Sequence, residues 1–155
     1  MLVLHEPKLD ELAFRQRLLA DEATMTYNEA YGGTIPFPEE RWKNWHQRWV
    51  ASHSQAFFYR YLKKSQTEEF VGEVAYHFDE ESQHYLCDVI IFSPYRGQGF
   101  GDQGLKLLIQ AATVNQLTTL FDHLAPGNPA VSLFLKNGFT IENETTEGTL
   151  VKRVL

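Results

Sequence analysis

The stretch "IIFSPYRGQGFGDQG", residues 90–104, sets four glycines within eight residues, between an apolar β-type run and a leucine-rich helical pattern. A glycine-rich turn joining a strand to a helix presents main-chain N–H groups to phosphate oxygens, and the helix adds its positive end. No Gly-Lys-Ser/Thr follows the glycines, which excludes a nucleotide P-loop. Gly99, Gly101 and Gly104 do satisfy G-x-G-x-x-G, and Asp122 follows about twenty residues on, where a dinucleotide fold would place a ribose-binding acid. Against an NAD-binding protein, "SPYRGQ" separates Phe92 from Gly99, whereas a dinucleotide turn leaves its strand at once. The chain is also too short after Asp122 for further βαβ units.

Outward from the loop, the hydrophobic period switches between two and 3.6. "QAFFYRYL" (55–62), "EFVGEVAYHF" (69–78) and "HYLCDVIIF" (84–92) read as strands, and the links "KKSQTE" and "DEESQ" suit antiparallel hairpins. "LVLH" at 2–5 is a short strand and "LDELAFRQRLLAD" at 9–21 an amphipathic helix. "EATMTYNEAYGGTIPFP" at 22–38 is broken by Gly32, Gly33, Pro36 and Pro38. Pro38 and two glutamates then open a helix whose Trp42, Trp45 and Trp49 share one face. Beyond the loop, 102–116 is a helix and 117–124 a strand. "NPAVSLFLKNGF" gives Asn128 as N-cap, Pro129 in the first turn and Gly138 as the stop. "GFTIEN" and "GTLVKRVL" close as a hairpin. The order β-α-α-β-β-β-α-β-α-β-β predicts one mixed α/β domain over 1–155, with a mainly antiparallel sheet flanked by helices.

Arg96-Gly97-Gln98-Gly99-Phe100-Gly101 is R-x-x-G-x-G, which resembles the acetyl-coenzyme A loop of the GNAT N-acetyltransferase superfamily. "DVIIFSPYRGQGFG" is similar to that family's fourth strand and pyrophosphate loop, and "NPAVSLFLKNGF" to its C-terminal signature, so that the two motifs fall in the family's order. The resemblance implies acetyl-CoA as co-substrate and direct transfer of its acetyl group to a primary amine, of a small molecule or a protein N-terminus. It implies that Arg96 to Gly101 hold the pyrophosphate, and that the main chain of Ile90, Ile91 and Phe92 binds pantetheine and polarises the thioester. Asn128 and Phe134 fall where relatives contact the cofactor arm. The bland reading of the glycines is a tight turn with no ligand, but a turn has little use for three alternating glycines ahead of a helix.

Transfer to an amine needs a base. Asp88 matches the fourth-strand position where many relatives carry glutamate, and Glu73 on the preceding strand is a second candidate that acts through water. Both sit in apolar runs that raise a carboxyl pKa, and for both the plain alternative is a solvated strand carboxylate. The family's usual general acid is a tyrosine four residues before the Gly-Phe pair, where this chain has Phe134. Tyr85 and Tyr95 are the nearest replacements, and a catalytically inactive acyl-CoA-binding module is the alternative function. The family's segment between the first two strands walls the acceptor site, which makes Tyr27, Asn28, Tyr31 and Trp42 substrate candidates, with Trp42 also explained by packing.

The 155 residues carry 14 Lys and Arg against 20 Asp and Glu, a net charge of −6 that argues against nucleic acid as partner. One cysteine, Cys87, allows no internal disulfide. No basic leader and no long apolar run stands in the chain, so a cytoplasmic protein without membrane contact is expected. The six histidines lack metal-type spacing, and no metal is expected. His77 and His84, flanking a hairpin turn, are expected to be exposed. The C-terminal hairpin offers an edge to a second copy, which leaves a homodimer open.

Overall fold

A computed structural model describes residues 1–155. Its strands are β1 (Leu2–His5), β2 (Phe57–Lys64), β3 (Phe70–Asp79), β4 (His84–Ile91), β5 (Thr119–Leu124), β6 (Thr140–Thr145) and β7 (Gly148–Val154). They form one sheet in the order β1-β2-β3-β4-β5-β7-β6. Every neighbouring pair is antiparallel except β4 with β5. The helices are α1 (Ala13–Ala20), α2 (Trp42–His46), α3 (Phe100–Val114) and α4 (Ala130–Lys136). Element order and sheet type are those the sequence predicts.

Period-two alternation divides the sheet between two cores. On β3, Val74 and Tyr76 face the layer of α3 and α4, while Glu73 and Ala75 face that of α1 and α2. On β4, Cys87 belongs to the α3–α4 core and Ile90 to the α1–α2 core, and Asp88 shares the face of Ile90. Leu105, Leu108 and Ala112 of α3 are fully buried at helical spacing. Trp42, Trp45 and Trp49 pack on the α1–α2 core together, their run passing from α2 into a π-turn at Gln47–Ala51.

Three expectations need adjustment. Thr24–Tyr31, read as irregular, is a 3₁₀ helix closed by Gly32 in the left-handed region, because the breakers stand at its end rather than inside it. His77 and His84 are half-buried, not exposed. His84 stacks on Phe121 at 3.6 Å, and His77 packs between Trp49 and Phe57. Pro129 takes the cap of α4, although Asn128 Oδ1 still accepts from the Ala130 N–H at 2.8 Å. No helix is long and apolar enough to cross a membrane.

Candidate active site

β4 and β5 are bridged only at Leu86 and Phe121. Beyond that point they part, and β4 is left with a bridged neighbour on its β3 side alone. Parallel strands that diverge leave a gap through the sheet, and here it opens into a cleft of ≈ 1000 Å³. The glycine loop and α4 line one side of the cleft, and the 3₁₀ segment Thr26–Tyr31 lines the other.

Gly97 (φ +79) and Gly99 (φ +81) lie in the left-handed region, where a Cβ is strained, and no atom stands within 4 Å of the position either Cβ would take. The N–H groups of Gly97 to Gly101 make no hydrogen bond within the protein. They are gathered at the N-terminus of the fifteen-residue α3, where the helix dipole is positive. Unsatisfied convergent donors, a positive helix end and open space fit a pyrophosphate. Ile90 and Ile91 line the same cleft, whereas Phe92 turns to Phe14 at 5.8 Å.

Arg96 is occupied elsewhere. Its Nε donates to Ile91 O at 3.2 Å, Nη1 to Ala23 O at 3.0 Å and Nη2 to Thr24 O at 2.6 Å. The Ser93 N–H donates to Thr24 Oγ1 at 2.9 Å, and Ser93 Oγ donates to Asp21 Oδ2 at 2.6 Å. Together these bonds clasp the glycine loop to the segment that walls the other side of the cleft. Arg96→Ala is expected to raise the acceptor KM by roughly five- to tenfold, the equivalent of roughly 1–1.4 kcal/mol for two or three partly exposed hydrogen bonds. Its acetyl-CoA affinity should change less, and initial-rate kinetics beside calorimetry separate the two effects.

Glu73 and Asp88 both face the α1–α2 layer of the sheet and both line the cleft, but their surroundings differ. Glu73 is 4% exposed, and its Oε1 accepts from Arg15 Nη1 at 2.7 Å and from the Tyr59 hydroxyl at 2.5 Å. The Arg15 guanidinium packs over Trp45, Phe37 and Tyr59, 4.5 to 5.3 Å from their ring centroids. Burial opposes the Arg15 charge and Glu73 more than offsets it, so its pKa is raised. Burial pushes the Tyr59 hydroxyl far up as well, with Glu73 adding to it, so Tyr59 remains a donor. Two buried donors fix the position of the Glu73 carboxyl.

Asp88 makes no such bonds and opens to the cleft. The protein crowding around it and the nearby Glu73 charge, opposed by Arg15, hold its carboxyl up at about 6. Asp122 on β5, half-buried, lines the same cleft; desolvation and then Asp88 push its carboxyl well above the usual range.

Among the remaining candidates, Tyr27, Asn28 and Tyr31 line the cleft from the 3₁₀ segment, although Asn28 Nδ2 donates to Gly33 O at 2.8 Å and so shapes its own turn. Trp42 stays outside the cleft, donating from Nε1 to Phe37 O. Gln98 stands outside the cleft lining, while Phe100 and Asn128 are part of it. Phe134 is buried in the cleft wall, edge-to-face with Phe139. Neither tyrosine named as a replacement acid is free: Tyr85 donates to Gln55 O and Tyr95 to Glu69. Sequence reasoning missed Arg15 and Tyr59. It weighed Asp122 only as a ribose ligand, although an acid on the same strand face as Leu120 and Leu124 in "LFDHL" was the available signal. No set of His, Cys, Asp and Glu side chains is placed to hold a metal ion.

A model described as the acetyltransferase (GNAT) family matches residues 17–139. Among solved structures, spermidine N-acetyltransferase from Vibrio cholerae in complex with CoA and spermine superposes with a TM-score of 0.80 at 19% identity, covering 99% of this chain and 95% of that one. An acetyltransferase of the GNAT family from Streptococcus pneumoniae gives 0.79 at 18% identity, with both chains covered in full. One from Bacillus anthracis gives 0.76 at 14%, covering 99% and 94%. No curated protein sequence matches the chain.

Proposed function

This chain belongs to the acetyltransferase (GNAT) family, and we propose that it transfers an acetyl group from acetyl-CoA to a primary amine, both substrates being bound in the one cleft. The observation that carries the reading is the run of unpartnered N–H groups from Gly97 to Gly101, opening on the cleft that also holds Asp88. Acetyl-CoA supplies the activated acyl thioester. The loop holds its pyrophosphate, the free edge of β4 at Ile90 and Ile91 takes the arm, and Phe134 packs against it. Asp88 stands on the acceptor side and takes a proton from the nitrogen, in the role of general base. Glu73, locked to Arg15 and Tyr59, keeps that floor rigid.

Glu29, Glu73, Asp88 and Asp122 line the cleft against Arg15 and Arg96. Glu73 is paired with Arg15, and Arg96 keeps its charge among neutral main-chain oxygens, so Glu29 and Asp88 against Arg96 leave a small acidic excess even with Asp122 neutral. That excess, with the faces of Tyr27 and Tyr31, favours a cationic acceptor. One structural neighbour is named for spermidine and was solved with spermine, which puts small polyamines first in an acceptor screen. The setting that best fits the reading is a single domain in the cytoplasm.

Calorimetric titration with acetyl-CoA, with NAD as comparator, tests the cofactor. Gly99→Asp puts a carboxylate where the pyrophosphate would lie, and a roughly tenfold or larger loss of affinity is expected for removing favourable anion contacts and adding a like charge. Preference for NAD would overturn the assignment. Phe134 favours one second reading, an acyl-CoA-binding protein without turnover. Thiol release from acetyl-CoA across an amine panel decides between the two, since a binder that never turns over is that protein.

A further inference from the structure

We infer that Asp122 is the general acid of the transfer, giving its proton to the departing sulfur in the place of the hydroxyl that Phe134 lacks. The inference rests on the acetyl-transfer reading above and adds a catalytic residue to it.

The sheet itself supplies the argument. On β5, Leu120, Asp122 and Leu124 point the same way, and Leu120 and Leu124 are buried in the α3–α4 core together with Phe134. The register confirms this side, because Asp122 pairs with Val151 of β7, which is buried in the same core. Asp88 points the opposite way, with Ile90, into the layer of α1 and α2. The two carboxyls thus flank the parting of β4 and β5 from opposite faces, and both reach the one cleft. Asp88 is on the acceptor's side and Asp122 on the side of α4 and the cofactor arm.

Around Asp122 there is no cation to hold it ionised. Asp88 and the buried Cys87 thiol on β4 and Tyr27 of the 3₁₀ segment are its titratable neighbours, His123 adjoins it in the cleft lining, and Val151 faces it from β7. Arg153, further along β7, donates instead to Asn137 O and Val154 O. Lys136 of α4 is turned to Asp102. No side chain donates to the Asp122 carboxyl; desolvation and then the Asp88 carboxyl push it well up, against the single main-chain N–H of His123 that pulls the other way. The arrangement separates two like groups into base and acid through their environments.

The proton balance closes within the pair. The acceptor ammonium first loses one proton to water. Asp88 takes a second from the nitrogen as the C–N bond forms, and Asp122 gives its own to the sulfur as the C–S bond breaks. The proton then on Asp88 passes to Asp122 across the gap, which restores the starting state. A thiol of pKa about 8.5 leaves tolerably as thiolate, so the acid contributes at the lower end of the usual range, roughly ten- to a hundredfold.

Asp122→Asn is the test variant, since it keeps the shape and removes the transferable proton. With the tightest acceptor of the amine panel, its kcat should fall by that factor while acetyl-CoA binding, read by calorimetry, stays within about threefold, well under 1 kcal/mol. The wild-type kcat should decline on the alkaline side, where Asp122 ionises, and the variant should lack that limb. Carboxyl ¹³C NMR of the wild-type protein, with Asp122→Asn for assignment, should find Asp122 still protonated at neutral pH, a readout independent of turnover and of the variant's folding. A carboxyl titrating near the ordinary value of about 4 overturns the inference. So does an unchanged kcat, or an alkaline limb removed by Tyr27→Phe instead, since that hydroxyl also lines the cleft. A wild type with no activity towards any amine overturns the transfer reading and this one with it. An active wild type with an indifferent Asp122→Asn overturns this one alone.

Discussion

Gly72→Ala is expected to destabilise the protein by roughly 3 kcal/mol, which for a chain of this length is roughly 6–12 °C in Tm. An alanine Cβ at that position would lie 2.2 Å from the Ile90 carbonyl oxygen and 3.1 Å from Ile91 Cα. These are main-chain atoms, so no rotamer change relieves the overlap. Gly72 pairs with Leu62 on one side and Ile91 on the other, and the β2–β3 register shifts immediately beside it. Glycine inside a strand marks a close approach of another backbone. The only relief is to push β4 away from β3, and the part of β4 that would move is Ile90–Ile91, at the mouth of the cleft. Loss of stability and loss of acetyl-CoA affinity should therefore come together. Thermal unfolding and calorimetry on one preparation check this, and a variant with wild-type Tm would mean that the strands part easily in solution.

The second large effect is on turnover. Asp88→Asn should lower kcat by roughly 10²–10⁴-fold, the usual contribution of a positioned general base. Its effect on stability should be small, because Asp88 makes no hydrogen bond or ion pair that the substitution would break. The pH dependence separates this outcome from a merely structural one. Crowding and then Glu73 hold the Asp88 carboxyl at about 6, and a base acts in its ionised form. On top of the slope that a growing free-amine fraction gives any variant, wild-type kcat/KM should therefore show an added rise through about 6, complete before Asp122 ionises. The asparagine variant has no carboxyl to ionise and should lack that rise. Thiol release measured from pH 5 to 8 checks both statements; a variant that keeps the wild-type profile would place the base elsewhere.

Local chemistry in the sequence was enough for much of this. The glycine run, the alternating strands and the Gly-Phe stop are short-range signals, and each appears in the fold within a few residues of its expected place. The cleft residues of β4 were legible because a strand's alternation assigns its faces. Arg15 was not, because its partner Glu73 lies 58 residues away and nothing in "AFRQRLL" separates that arginine from Arg17. Trp42, Trp45 and Trp49 read correctly as one packed face, but periodicity does not tell a cleft wall from the layer behind it. Asp122 was visible as an acid in an apolar strand, yet its meaning depends on β5 leaving β4 after a single bridge. Strand divergence is a property of the assembled sheet and has no local signature.

The Arg96 clasp bears on how such a protein changes its acceptor over time. Arg96 binds Ala23 and Thr24 through their carbonyl oxygens, which are present whatever side chains those positions carry. The neighbouring Thr26, Tyr27, Glu29 and Tyr31 are exposed to the cleft and contribute little to either core. The fastening is thus chemically separate from the recognition surface that it fastens. Mutation can rewrite that surface residue by residue while the glycine loop keeps its grip on it, so the cleft wall can vary without first loosening the loop.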